Sequence, residues 1–243
     1  MSDIAVLQVD GDLDVSSAPR TKALLDELIG EGCHRVILNM ANVGYADSSG
    51  LGLILAATRR IRDAGGLLSL TNVQPRVYRA LCMMRVLDFM PASLQGSQTY
   101  VPELDPSTDP TLTTTMLVKA QSLSEVRSRI TSILDNTSLS HDEVFDMTLA
   151  VGEAMGNAVD HSGTDACVLV TAKTFPDRVV FEVTDCGEGF ELAPGENPPA
   201  VGPGADRGRG IRLMRLLADA VSISRRESGR GTVVKLVKMF DQR

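Results

Sequence analysis

The chain has 243 residues, 24 basic and 31 acidic side chains and a formal net charge of −7, enough length for two domains of ordinary size. Acidic residues outnumber basic ones in both halves, 13 to 9 over residues 1–110 and 18 to 15 over the rest, so no domain-wide basic surface exists for direct nucleic-acid binding. The chain shows no membrane-length apolar run and no signal peptide, so a cytoplasmic location without membrane contact is expected, with Cys33, Cys82, Cys167 and Cys186 reduced.

In chain order, Gly11-Asp-Leu-Asp14 comes first, followed by a strand over His34–Asn39. The stretch Tyr45-Ala-Asp-Ser48-Ser49-Gly50-Leu-Gly52 sits where a strand gives way to a helix ending near Asp63, so Ser48 or Ser49 reads as its N-cap. Ala64-Gly65-Gly66 turns the chain into a strand from Leu67 to Thr71. One reading of Ser48 is a cap and nothing more. The other is a switch: phosphate there gains from the helix N-terminus yet adds about two negative charges to the surface. Residues 101–111 carry three prolines and three acids without an apolar period, which reads as a proline-stiffened linker.

Beyond it, Val144, Phe145, Thr148, Leu149, Met155 and Val159 recur at helical intervals behind a Ser140/Glu143 capping box. Glu153, Asn157 and His161 then share one helix face at i, i+4 and i+8. A carboxylate and an amide one turn apart suit a magnesium-bound triphosphate: the amide oxygen is a hard ligand, and the acid can take a proton. Val179–Thr184 reads as a buried strand. Asp185 just past its end is placed to accept from an adenine amino group, and Gly187 and Gly189 let the backbone approach the base. Gly208-Arg209-Gly210 opens a helix whose bare N–H groups and dipole favour phosphate. Between them, residues 190–207 are too rich in proline and glycine to pack, and their position reads as a lid.

Residues from about Leu112 to Met239 resemble the small GHKL serine kinases that act as bacterial anti-sigma factors, Gly231-Thr232 before the closing strand included. The resemblance implies Glu153 as catalytic base and Asn157 as magnesium ligand. It also implies Asp185 as adenine reader, with Gly187, Gly189, Gly208, Arg209, Gly210 and Thr232 completing the ATP site. Gly156, and Ser162-Gly163 after His161, depart from the family pattern without removing a functional group. Residues 1 to about 100 resemble the STAS domain of anti-sigma factor antagonists, whose phosphorylation loop is matched by Asp-Ser-Ser-Gly-Leu-Gly. By that resemblance Ser48 receives phosphate, with Ser49 as the alternative.

The expected fold is α/β in two domains: a STAS domain over 1–100, a linker over 101–111 and a GHKL ATPase sandwich over 112–243. The expected function is partner switching by an ATP- and Mg²⁺-dependent serine protein kinase and anti-sigma factor fused to an antagonist-like module. Implied partners are an RNA polymerase sigma factor, separate STAS antagonists and a second copy through the kinase half, with a contact between the two halves of one chain also open. Two alternatives stand: a non-catalytic switch in which the STAS half masks the kinase-like half, and a kinase for separate STAS proteins with no sigma target. Arg207, Arg209, Arg212 and Arg215 flank the phosphate signal, with Arg209 or Arg207 as a γ-phosphate contact or all of them simply as solvated arginines, and Arg225, Arg226 and Arg230 read as a solvated hairpin. The cysteines have no metal spacing. Cys186, beside the adenine signal, reads as a small buried residue, with redox control as the other reading.

Overall fold

Short apolar runs rich in valine, isoleucine and leucine make the strands of the N-terminal unit, Met1–Gln98. The computed structural model describes residues 4–88, 90–95, 101–163, 167–193, 209–227 and 229–240. Strands β1 (Ile4–Gln8), β2 (Arg35–Asn39), β3 (Leu67–Val73) and β4 (Ala92–Leu94) form one parallel sheet in that order. Helices α1 (Ala18–Gly30), α2 (Ser48–Asp63) and α3 (Pro75–Met83) provide the crossovers that parallel pairing requires. Val36, Ile37 and Leu38 of β2 are all fully buried, which explains its apolar run. Leu51, Ile54, Thr58 and Ile61 recur along the buried stripe of α2 and join Leu13, Leu38, Leu70 and Leu81 in the core.

The cap of α2 departs from expectation. Asp47, not a serine, is the N-cap: its Oδ1 accepts from Ser49 N at 2.8 Å and Gly50 N at 2.9 Å. A carboxylate serves both amides and favours the positive helix end, which leaves both serine hydroxyls out of the capping role. Ser48 and Ser49 are exposed.

The second unit, Thr99–Arg243, is built on an antiparallel sheet of order β5-β6-β7-β9-β8. Its strands are β5 (Leu112–Val118), β6 (Val168–Thr174), β7 (Arg178–Thr184), β8 (Ala220–Arg225) and β9 (Thr232–Met239). Helices α4 (Leu123–Asp135), α5 (His141–His161) and α6 (Arg209–Leu217) complete it, with α5 packed against α4, α6 and strands β6, β7 and β9. Val179, Phe181 and Val183 alternate along β7 and are buried, as are Met147, Val151, Ala154 and Met155 of α5. Both units are α/β.

Residues 101–104 do more than connect. Val101 and Leu104 pack on Phe175, Val180 and Val237. Val180 and Val237 are register partners and alternate with Phe181 along the strand, so this patch is the sheet's other face. Arg178, only 5 % exposed, donates from Nη1 to the Pro102 carbonyl at 2.6 Å while its Nη2 pairs with Asp177 at 2.7 Å. The start of the proline-rich stretch is thus a strap on the second unit's sheet, and two apolar residues three apart are too sparse a signal to show it.

Candidate functional site

Helix α5 positions the site. Its capping box is complete: Ser140 Oγ accepts from Glu143 N at 3.3 Å, and Glu143 Oε2 accepts from Ser140 N at 2.9 Å. Its deeply apolar face fixes the helix on the sheet, which leaves Glu153, Gly156, Asn157 and Asp160 along a less buried stripe. A Cβ at Gly156 would meet nothing within 4 Å, so that glycine is not required by packing.

The first turn of α6 closes on this stripe. A Cβ at Gly210 would lie 2.9 Å from Glu153 Oε2 and 3.1 Å from Asn157 Nδ2. Gly210, more than fifty positions further along the chain, therefore meets Glu153 and Asn157, a carboxylate and a carboxamide against the N-terminal turn of a helix. The side chain of Arg209, all of Gly208 and most of the expected lid, residues 194–208, lie outside the described residues. The lid's near end is anchored, since Leu192 N donates to the Ile223 carbonyl at 3.2 Å.

A second cradle forms where β7 ends. Asp185 is 7 % exposed, and its Oδ1 accepts from Gly187 N at 2.8 Å and Thr232 N at 3.0 Å. Its own N–H donates to the Thr232 carbonyl at 3.0 Å. Gly187 lies against the end of α5, where a Cβ would come within 2.6 Å of the His161 carbonyl oxygen. Gly231, at φ +91°, lies under the Asp185 carbonyl, and a Cβ there would collide with it. Thr232 Oγ1 accepts from Phe190 N at 3.2 Å. Glycines here admit backbone against backbone.

Two arginines of the hairpin do more than sit in solvent. Arg226 Nη1 donates to the Asp185 carbonyl at 3.3 Å and Arg225 Nη1 to the Glu188 carbonyl at 3.2 Å, so they brace the loop. The bracing role does not show in sequence, because only the pairing of β9 with β7 brings the β8–β9 hairpin to the end of β7. The cysteines also need correction. Cys167 and Cys186 form a disulfide with Cα atoms 6.0 Å apart, while the Cys33 side chain is buried and the Cys82 side chain exposed, both outside the bridge. Nineteen residues separate the two halves of the bridge, and only antiparallel pairing of β6 with β7 brings them opposite each other.

In the N-terminal unit, the loop before α2 is stitched to the loop after β1. Asp47 N donates to the Leu13 carbonyl at 3.1 Å, Val15 N to Asp47 Oδ2 at 3.2 Å, and Gly44 N and Tyr45 N to Asp12 Oδ1 at 3.0 and 2.8 Å. A Cβ at Gly50 would collide with the Leu13 carbonyl, so the glycine after the serines is needed for this contact. The Ser16 hydroxyl, with the Ser17 and Ser16 amides, holds the Asp14 carboxyl below its ordinary range. Ser48 is thus presented on a fixed, exposed turn.

Among the described residues, no group of three or more His, Cys, Asp or Glu side chains could hold a metal, and no helix is long and apolar enough to cross a membrane. The Asn157 carboxamide oxygen supplies one hard donor, a fit for an ion that takes its other ligands from phosphates and water.

Comparison with known proteins gives two family matches: a histidine kinase-like ATPase domain over residues 117–238 and a STAS domain over residues 1–99. The anti-sigma F factor antagonist of Paenibacillus polymyxa is 32 % identical over 89 residues, 36 % of this chain and 76 % of that protein. The anti-sigma-B factor antagonist of Staphylococcus epidermidis is 33 % identical over 88 residues, 36 % of this chain and 82 % of the relative. Among solved structures, the anti-sigma factor antagonist SpoIIAA in its unphosphorylated form matches 40 % of this chain and 84 % of its own, at 26 % identity and a TM-score of 0.32. The RsbU and RsbW domains of a Mycobacterium tuberculosis protein match 55 % of this chain and 34 % of that one, at 19 % identity and a TM-score of 0.40. The chain belongs to the histidine kinase-like ATPase domain family and carries in front of that domain a STAS domain of the anti-sigma factor antagonist kind.

Proposed function

We propose that the chain is a cytoplasmic partner-switching regulator of bacterial transcription, an ATP-dependent serine protein kinase and anti-sigma module joined to an antagonist-like STAS domain. The observation that carries this reading is the closure of Gly210 on Glu153 and Asn157. A site that only held a nucleotide would have no use for a carboxylate beside the helix turn that receives phosphate. In this reading Glu153 takes the proton from the acceptor serine hydroxyl as its oxygen bonds to the γ-phosphorus and ADP departs. Asn157 offers its amide oxygen to magnesium, which when bound neutralises phosphate charge. Asp185, whose two backbone donors both engage Oδ1, keeps Oδ2 as the acceptor for the adenine amino group, and the amides opening α6 receive phosphate oxygens. The partners are a sigma factor and STAS antagonists, with the ATPase half pairing with a second copy.

The test is phosphotransfer from labelled Mg-ATP to a separate STAS antagonist protein. Glu153→Ala is expected to keep nucleotide affinity within a few-fold while transfer falls by about 10²–10⁴. Asn157→Ala is expected to lose both. Undiminished transfer by Glu153→Ala removes it as the base. Binding without any transfer by the unaltered chain leaves a non-catalytic, nucleotide-dependent switch.

A further inference from the structure

The Cys167–Cys186 bridge lies at a particular place. The β6–β7 ladder runs in register from Thr174↔Val179 to Leu169↔Thr184 and ends there. Continuing that register by two residues sets Cys167 opposite Cys186, so the bridge clamps the strand pair just past its last hydrogen-bonded rung. This is where the chain leaves the sheet to form the Asp185 cradle. Cys186 stands between Asp185, whose carboxylate gathers the loop, and Gly187, which rests on the His161 carbonyl at the end of α5. Arg226, the arginine that braces the Asp185 carbonyl, also reaches Cys186 Sγ with its Nη1 at 3.7 Å. Cys167 is exposed and Cys186 half-buried, so reagents can reach the pair.

We infer that Cys167 and Cys186 are a reversible thiol–disulfide site, and that its state sets the affinity of the adjoining nucleotide cradle. The inference rests on the proposed nucleotide reading of that cradle. In a cytoplasmic protein a disulfide is transient and redox-sensing far more often than structural. The Arg226 guanidinium stands 3.7 Å from Cys186 Sγ, a positive charge beside the sulfur that as thiolate attacks and leaves in exchange. A low-molecular-weight disulfide serves as oxidant: its S–S bond breaks, the Cys167–Cys186 bond forms, and two small thiols leave with the two cysteine protons. Two electrons pass from the protein to the reagent. The oxidised form holds the backbone on either side of Cys186 in its binding geometry before ligand arrives. The reduced form orders it at the expense of binding.

The experiment uses the full chain with Cys82→Ser, which removes the exposed free thiol. Affinity for a fluorescent ATP analogue with Mg²⁺ is measured after oxidation by glutathione disulfide and after reduction by dithiothreitol. The oxidised chain is expected to bind about three- to tenfold more tightly. Cys167→Ser and Cys186→Ser are each expected to bind like the reduced chain under both conditions. Circular dichroism of the reduced chain, which carries no substitution at the pair, guards against loss of fold. Equal affinity in the two states overturns the inference alone, as does a redox response that survives either serine substitution. Oxidised chain whose peptide map lacks the Cys167–Cys186 linkage overturns it too. Absence of analogue binding in both states overturns the nucleotide reading and this inference with it.

Discussion

Gly210 and Asp185 do different work at the scale of single residues. A methyl group at Gly210 would approach the tips of Glu153 and Asn157, which are flexible side-chain ends rather than backbone. Gly210→Ala is therefore expected to fold, because those tips can swing away, and to lose phosphotransfer by about 10²-fold as the displaced carboxylate misses its geometry. A thermal unfolding curve close to that of the unaltered chain, beside a transfer assay, separates the two effects. Asp185 is buried and holds Gly187 and Thr232, so Asp185→Asn tests recognition and loop order together. Calorimetry is expected to show ATP binding weakened by about 1–3 kcal/mol. Retained affinity would take Asp185 out of the site.

At the scale of elements, α5 is held at its N-terminus by more than its cap. Lys238 of β9 bridges Glu143 at 3.3 Å and Asp219 at 3.2 Å, tying α5 to β9 and to the turn between α6 and β8. Burial alone would push the Glu143 carboxyl up, but the Ser140 amide and hydroxyl and the Lys238 ammonium outweigh it and hold the carboxyl below its ordinary 4.5. Burial likewise opposes the Lys238 charge, yet Asp219 and Glu143 raise it above its ordinary 10.5. The signs are opposite. Glu143 contributes stability that is present above pH 4.5 and lost as pH falls through its depressed value. Lys238 contributes stability that is complete below pH 10.5 and lost as pH rises through its elevated value. Lys238→Met is expected to cost about 1–3 kcal/mol, leaving two carboxylates without their shared cation. Urea unfolding at a series of pH values checks it: the difference from the unaltered chain should be flat between those limits and shrink beyond each. A difference that does not depend on pH would mean that packing, not charge, holds the triad.

For the whole molecule the question is what the fusion does. One chain carries both units, so the Ser48 turn is covalently tethered to the ATPase domain. Self-phosphorylation at Ser48 is the expected outcome on incubation with Mg-ATP, abolished by Ser48→Ala and spared by Ser49→Ala. Mass spectrometry of the treated chain locates the phosphate, and a label insensitive to dilution identifies transfer within one molecule. A chain that stays unmodified while phosphorylating a separate STAS protein would make the fused domain a docking or sensing module. Phosphate at Ser48 would sit beside the Asp47 carboxylate that already caps α2, so the added charge competes with the cap and alters the loop that Leu13 and Val15 help to hold.

The sequence by itself determined the two-domain α/β plan and several of its elements. The period of α5, its Ser140/Glu143 box, the buried run of β7 and the i, i+4 placement of Glu153 and Asn157 are local patterns, legible because helix and strand periods are local properties. The α2 cap was misread within a single turn, since Asp47 and Ser48 are both capable caps and only the orientation of the Asp47 carboxylate chooses between them. What tertiary structure alone decided depends on pairing between distant segments. The pairing of β9 with β7 brings the β8–β9 hairpin to the end of β7, which lets Arg225 and Arg226 brace the loop and sets Gly231 under Asp185. The β6–β7 register makes a disulfide of two cysteines whose spacing carries no motif, and the apolar patch on Val180 and Val237 turns Val101 and Leu104 into a strap. No short-range pattern encodes these contacts, because each partner becomes a neighbour only when the sheet forms.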